Sequence, residues 1–480
     1  MAFPSVAQHL FYFLPEAVLI ASGLLVLCLD SLIKGPQKSF LGKLTFLALC
    51  AATLATFLLW KKGSSFVGGL FLCDAYAVFF KLVFSGAALV TVLFSDRYLL
   101  LTGIPQGEYF ALLLFATSGM MVMVSGADLL SIYLGLEIMA IASYALVGLL
   151  KKESTSLEGA LKYFLLGAFN SGILLYGIAL LYGASGTTHL GGIAAALAKT
   201  SPSKMLLAGM GLLTAGLAFK ISAFPFHMWV PDAYEGSPTP IAGFISVASK
   251  AASFAVLLRL SLTALSPLKG EWQNLFITFS VLTMTFGNLL ALSQESLKRM
   301  LAYSSIAHAG YLLIGLAVGT PLGIAAVLFY FVTYGIMNLG AFAMMILIAK
   351  KERRPESLED FRGFAKEHPG WALCFLIFFL SLAGIPPSAG FIGKFYLFAG
   401  AIQSGLYGLA MVAVLNSVLA FSYYFRVVRG MYMMEGRSVE ISPSRGLRLS
   451  LIFLALLTVA LGLYPVPFLQ AAQHAAASLR

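Results

Sequence analysis

Charge is scarce in this chain. Only 11% of its 480 residues are Asp, Glu, Lys or Arg, while 60% belong to the hydrophobic set. Soluble globules carry about a quarter charged residues, so little of this length can be an ordinary soluble domain. Cysteine is also sparse: Cys28, Cys50, Cys73 and Cys374 lie in or beside apolar runs, and none forms a CxxC pair. The six histidines are widely scattered. No zinc, iron–sulfur or haem ligation pattern emerges, so neither metal nor cofactor is expected in this chain. A period-two alternation is missing, which excludes a lipid-facing β-barrel. The N-terminus lacks a basic stretch and an A-x-A-type cleavage site, so its apolar run reads as a retained first span. The net charge of +11 is not a nucleic-acid footprint, because the basic residues sit mostly in short loops between apolar runs.

What is present is a succession of long apolar runs, with a mean hydropathy of +0.91. One crossing of a bilayer takes about 20 apolar residues as a helix. The chain therefore reads as an all-α polytopic membrane protein of about 14 transmembrane helices. The spans are predicted at 10–29, 41–60, 75–95, 109–126, 128–150, 157–183, 205–230, 239–265, 273–293, 299–319, 323–349, 371–402, 408–431 and 447–466. Loops after odd-numbered spans hold about 19 of the 31 basic residues, and those after even-numbered spans, with the C-terminus, about six. The positive-inside rule then places odd-numbered loops in the cytoplasm and both termini on the outer, periplasmic side of a bacterial inner membrane.

Two spans are long and interrupted. The seventh breaks at Pro225 and Pro231, and the twelfth at the GIPPSAG run, 384–390. Each carries a lysine close to its break, Lys220 and Lys394. The two lie five spans apart, an odd number, so the halves would be inverted across the membrane. Paired discontinuous helices in inverted repeats point to a transport site near the midplane. The expected organisation is a three-helix segment over 1–100, two inverted five-helix repeats over 101–267 and 268–431, and a C-terminal helix in 432–480.

Glu137 lies midway along the fifth span, where a carboxylate costs several kcal/mol unless paired or hydrated. It is either a proton carrier or a structural carboxylate satisfied by hydroxyls such as Ser143 or Tyr144. Lys220 precedes Pro225 by about one turn. A proline there frees a backbone carbonyl, so the break favours hydration beside the lysine. Burial lowers a lysine pKa and a nearby carboxylate raises it, which would make Glu137 and Lys220 a switchable pair. Lys250 and Lys394 are too deep to snorkel easily. Lys162 is nearer the cytoplasmic face, where snorkelling competes with function. His308 is either a packing residue or a proton relay. His227 and Asp232 could line the cytoplasmic end of a path, while Lys81 and Arg259 have no evident role. Deep ionisable residues without cofactor motifs indicate ion translocation rather than redox chemistry.

Five stretches carry a resemblance: LGLEIMAIASYALVG, FKISAFPFHMWVPDAYEGSPTP, SVASKAA, LAYSSIAHAGY and LAGIPPSAGFIGKF. Over about 75–430 the chain resembles the antiporter-like membrane subunits of respiratory complex I, a group that also includes Mrp-type cation/proton antiporter subunits. Within it, SSIAHAGY and the single glutamate of LGLEIMA fit the N-type branch better than L or M. The resemblance implies that Glu137 pairs with Lys220, that Lys162 modulates the pair, that Lys250 is the central lysine and that Lys394 is the terminal one. It also implies flavin, iron–sulfur clusters and quinone in partner subunits. The implied partners are an M-type subunit, small K-, J- and A-type subunits and the lateral helix of an L-type subunit. The expected function is proton translocation coupled to electron transfer from NADH to quinone elsewhere in the complex. The alternatives are an Mrp-type Na⁺/H⁺ antiporter subunit, the equivalent subunit of a membrane-bound hydrogenase, or a mainly structural scaffold.

Overall fold

The computed structural model describes residues 11–33, 38–60, 65–67, 69–199, 202–349, 357–436, 441 and 443–479. Among them, 13 helices are long and apolar enough to cross a membrane. In chain order the first eleven crossings are α1 Leu14–Leu32, α2 Ser39–Leu59, α3 Ala75–Thr102, α4 Gln106–Ser125, α5 Leu129–Val147, α6 Ser154–Ser185, α7 Lys204–Ile221, α8 Thr239–Leu262, α9 Ser266–Leu292, α10 Leu297–Val318 and α11 Pro321–Leu347. The twelfth crossing is split into α12 Pro369–Ala383 and α13 Ala389–Gln403. Then follow α14 Tyr407–Met433, α15 Arg445–Leu463 and a short closing helix, α16 Val466–Ala477. The chain is a multi-pass, all-α membrane protein.

Large apolar side chains lie exposed on many helices, among them Leu47, Leu54, Leu165, Phe169, Val418 and Leu456. Such a surface suits lipid, where helix association relies on close packing rather than on hiding apolar area. The α4–α5 contact shows this: a Cβ on Gly135 would press on Met123 N at 2.5 Å, so only glycine lets these helices meet. The innermost element is α8, in which every residue from Thr239 to Ser261 is buried.

Both interruptions fall where the prolines were expected, but the helices stop earlier. α7 ends at Ile221, and Ser222 takes the left-handed conformation at φ 65°. The chain turns past Pro225 and re-forms a short helix, Val230–Gly236, with Pro231 at its start. A proline disfavours the helical region for the residue before it, which pulls the end back from Pro225 itself. α12 likewise ends at Ala383, with Gly384 at φ 86°. Gly390 must be glycine, because a Cβ there would run into the Ser381 carbonyl; its N–H donates to Ser381 Oγ instead, at 3.0 Å.

Two features had no counterpart in the sequence reading. The chain between α2 and α3 forms a small antiparallel hairpin, β1 Ser65–Val67 with β2 Phe71–Cys73. A π-helical turn, Ile245–Ser249, sits inside α8 immediately before Lys250. Such single-turn widenings recur at functional sites. The turn between α4 and α5 is tight, with Asp128 capping α5 by accepting from Leu130 N at 2.8 Å. The first part of the charged run beginning at Lys350 lies outside the described residues.

Candidate functional site

Lys220, Lys250, His308 and Lys394 are all buried, on α7, α8, α10 and α13. Lys220 Nζ donates to Tyr144 Oη of α5 at 3.0 Å and lies 5.2 Å from that ring's centroid. Tyr144 meets Tyr163 edge-on, and Tyr163 stacks on Trp229 at 4.0 Å. Trp229 Nε1 donates to the Phe219 carbonyl at 3.1 Å, satisfying one group that the break exposes.

Lys250 Nζ donates to the Ser305 carbonyl at 3.0 Å and to Ser305 Oγ at 2.8 Å, under the Tyr234 ring. Three residues further along α10, His308 Nδ1 lies 2.6 Å from Tyr330 Oη and Nε2 3.2 Å from Tyr424 Oη. Lys394 Nζ donates to the Leu382 and Ala383 carbonyls, both at 3.1 Å, and sits 4.8 Å from the Tyr311 ring. The proline break in the twelfth crossing thus supplies the oxygens that hold its lysine. His308 is within electrostatic reach of both Lys250 and Lys394. Among the described residues, the direct polar contacts of these ammoniums are to hydroxyl and carbonyl oxygens, never to a carboxylate.

Glu137 and Lys220 are not in direct contact. Glu137 Oε1 accepts from Ser171 Oγ of α6 at 2.5 Å, and the glutamate is only half-buried, between exposed Leu134 and Ile138. It lies in electrostatic range of Lys220 while the Tyr144 hydroxyl takes the ammonium. Ser143, the other expected partner, donates to the Met139 carbonyl. The helical geometry of α5 explains this: Ser143 turns inward onto its own backbone, and Glu137 opens toward the outer flank.

Lys162 faces neither Glu137 nor Lys220. It pairs with Glu158 at 2.6 Å and with Asp232 at 2.8 Å, and is half-exposed. Asp232 is shared with Arg299 at 2.8 Å, and Arg299 also holds Glu235 at 2.6 Å. Lys298 donates to the Glu235 and Ser237 carbonyls, clamping the end of the short helix after the break. For Asp232, burial raises the carboxyl, but the hydrogen bonds from Lys162 and Arg299 prevail and hold it below the usual carboxylate range. His227 does not join this network; its ring stacks on Phe224 at 5.3 Å.

The two cations without an assigned role are buried in ion pairs. Arg259 meets Asp74 through two bonds of 2.8 and 2.9 Å, and Lys81 meets Glu16 at 2.6 Å. Asp74 also caps α3 by accepting from Ala77 N at 2.7 Å. Sequence reasoning missed Arg299, Glu235, Asp74 and the tyrosines around His308. The visible signal was a lone acid, Glu16, in one apolar run and a lone cation, Lys81, in another. Among the described residues, no group of three or more His, Cys, Asp or Glu is placed to hold a metal ion.

Fold and site together define a polytopic membrane protein with buried lysines beside two broken helices and in the helix α8. Residues 126–420 match the family described as NADH:quinone oxidoreductase/Mrp antiporter, transmembrane. NADH-quinone oxidoreductase subunit N 2 of Solibacter usitatus is 44% identical over 478 residues, covering 96% of each chain. A chain of respiratory complex I from Thermus thermophilus superposes with a TM-score of 0.81 at 33% identity, covering 95% of this chain and 98% of its own. A chain of the Mrp complex from Dietzia reaches a TM-score of 0.85 at 23% identity, over 99% and 98%, a likeness of fold alone. The chain belongs to the family of antiporter-like membrane subunits of NADH:quinone oxidoreductases, in its N-type branch.

Proposed function

We infer that this chain is a proton-translocating membrane subunit of a respiratory NADH:quinone oxidoreductase. Electron transfer from NADH to quinone takes place in other subunits, which carry flavin and iron–sulfur clusters, and this chain moves protons in response. One observation carries the mechanism: Lys220, Lys250 and Lys394 are buried with hydroxyl and carbonyl partners only. An ammonium held by a carboxylate whose oxygens are both engaged keeps its charge, whereas one held by neutral dipoles gains or loses a proton at far smaller electrostatic cost. His308 and its tyrosines connect Lys250 to Lys394 as a neutral relay. Two like charges about 10 Å apart at an effective dielectric near 20 repel by more than about 1 kcal/mol, enough to move a pKa by about one unit. Protonation of one lysine therefore drives its neighbour to release. Glu137, free of direct pairing and half-exposed, biases Lys220 from the flank, and a charged group on a neighbouring subunit could act there.

The two halves are read as inverted repeats over 101–267 and 268–431. The likeness of the breaks supports this: each ends in a left-handed residue, Ser222 or Gly384, close to its buried lysine. The proposed neighbours are M-type and small K-, J- and A-type subunits and the lateral helix of an L-type subunit. The proposed setting is a bacterial inner membrane with both termini outside. The 44% identity to a curated N subunit, against 23% to an Mrp chain, favours this reading over a secondary antiporter. The test is Lys220→Ala in the assembled complex in vesicles, measuring NADH-driven proton uptake and quinone reduction separately. Uptake should fall steeply; unchanged uptake at normal quinone turnover would sink the mechanism.

A further inference from the structure

Beyond Lys220, Lys250 and Lys394, the first and third crossings bury a second charged site. Glu16 of α1 and Lys81 of α3 lie 2.6 Å apart with side chains 1% and 2% exposed. Among the described residues only one oxygen of Glu16 is used: Oε2 is buried and has no hydrogen-bond partner there. Ser125 Oγ, at the end of α4, is buried and unpartnered too. Both groups, with Lys81, border a partly open cavity of about 10 Å³ that Phe13, Phe71 and Cys73 also line. That is the room of one water molecule, which needs two to four polar partners; the cavity offers three.

We propose that Glu16, Lys81 and Ser125 bind one water and form a proton-exchange site at the membrane end opposite the Asp232–Arg299 network. The placement follows from parity. Glu16 and Lys81 lie near the starts of the first and third crossings and Ser125 at the end of the fourth, whereas Arg299 opens the tenth. The neighbouring Arg259–Asp74 pair is unsuited to the task. Arginine stays charged, and both Asp74 oxygens already accept hydrogen bonds. The Glu16–Lys81 pair has a carboxylate oxygen left unused among the described residues and an ammonium in place of a guanidinium. Lys81 Nζ passes a proton to Glu16 Oε1, leaving a neutral amine and a carboxylic acid with no change in net charge. A half-turn of the carboxyl group brings that proton to the cavity, where the water accepts it while releasing one of its own protons to bulk water at that membrane face, and the carboxylate is restored. The amine is then re-protonated from the interior. The site adjoins the helix of Lys250, since α3 packs on α8, with Tyr76 Oη donating to the Ala255 carbonyl at 2.9 Å.

This inference rests on the proton-translocating reading above, and the experiment separates the two. The charge-neutral double variant Glu16→Gln/Lys81→Met is made in the assembled complex beside Lys250→Met. The double variant removes both buried charges together, so assembly is expected at parental levels. Its NADH-driven proton uptake should fall at least about tenfold, a modest share of what a positioned proton-transfer group contributes. If Lys250→Met loses uptake and the assembled double variant keeps it, the pair is structural and the exchange site is refuted alone. If Lys250→Met also pumps normally, the translocation reading itself fails. Should the double variant not assemble, the single variant Lys81→Arg decides: it keeps the ion pair but cannot release a proton, and normal uptake overturns the proposal. A high-resolution map of the native complex should show an ordered water between Glu16 Oε2 and Ser125 Oγ, and a dry cavity also overturns it.

Discussion

Two regions of this molecule bury cations, and they do so in opposite ways. Along the middle of the bundle, Lys220, Lys250 and Lys394 touch hydroxyls, carbonyls and aromatic faces. At the far end of α8, Arg259 is locked onto Asp74 with bidentate geometry. The same helix carries one of each, nine positions apart, Lys250 and Arg259. Neutral partners leave a charge negotiable, whereas a carboxylate with both oxygens engaged, as in Asp74, fixes it and ties two distant parts of the chain together. Asp74 and Arg259 are 185 residues apart in sequence.

The contrast is open to experiment. Breaking the fixed pair should have the largest effect on integrity. Asp74→Ala strands a buried guanidinium, and removing one partner of such a pair costs about 3–5 kcal/mol. The expected outcome is loss of assembled complex and a lower melting temperature, with Asp74→Leu/Arg259→Met recovering most of both. Normal assembly of Asp74→Ala would show that the pair is not a lock. Next comes Lys250→Met, which leaves no orphaned carboxylate. It should assemble and melt like the parent while proton uptake per NADH drops by about 100-fold, the lower range for a lost proton-transfer group. A collapse of assembly instead would place Lys250 with the structural cations.

The half-exposed network at the opposite end should give the smallest change. Lys162→Gln is expected to change thermal stability little, as exposed pairs do. Its pH dependence has a definite sign. The Asp232 carboxyl is held low by Lys162 and Arg299 against the opposing effect of burial. Its contribution is therefore complete above the ordinary carboxylate pKa of about 4 and is lost as pH falls through its lower folded value. Melting curves between pH 6 and about pH 3 should show an acid-side loss in the parent that is smaller in Lys162→Gln; equal slopes would mean that Lys162 does not hold Asp232.

Much of the architecture could be read from the residues themselves. Long apolar runs give the crossings because each bilayer passage needs about 20 of them, and Pro225 and Pro386–Pro387 announce the two breaks. The deep lysines were legible because nothing else in an apolar helix explains them. What could not be read was partnership. Lys81 and Glu16, or Lys162 and Asp232, meet only through helix packing, and no local pattern encodes that meeting. The direct Glu137–Lys220 contact failed for the same reason: a tyrosine on Glu137's own helix, Tyr144, reaches the ammonium first. The π-helical turn before Lys250 leaves no trace in residue periodicity, because it adds a single residue to a helix buried on every side.

The end of α12 has one further consequence. Its last two carbonyls, Leu382 and Ala383, spend their free valence on the Lys394 ammonium. If that nitrogen sheds a proton, its two remaining N–H groups still serve the two carbonyls, but without the charge that makes such hydrogen bonds roughly twice as strong. The helix end is thereby a latch as well as a cradle. It retains the proton, so departure from Lys394 is timed by what enters the gap rather than by the lysine alone. In a chain that holds no fuel of its own, such a backbone latch sets the order of events without any part having to swing.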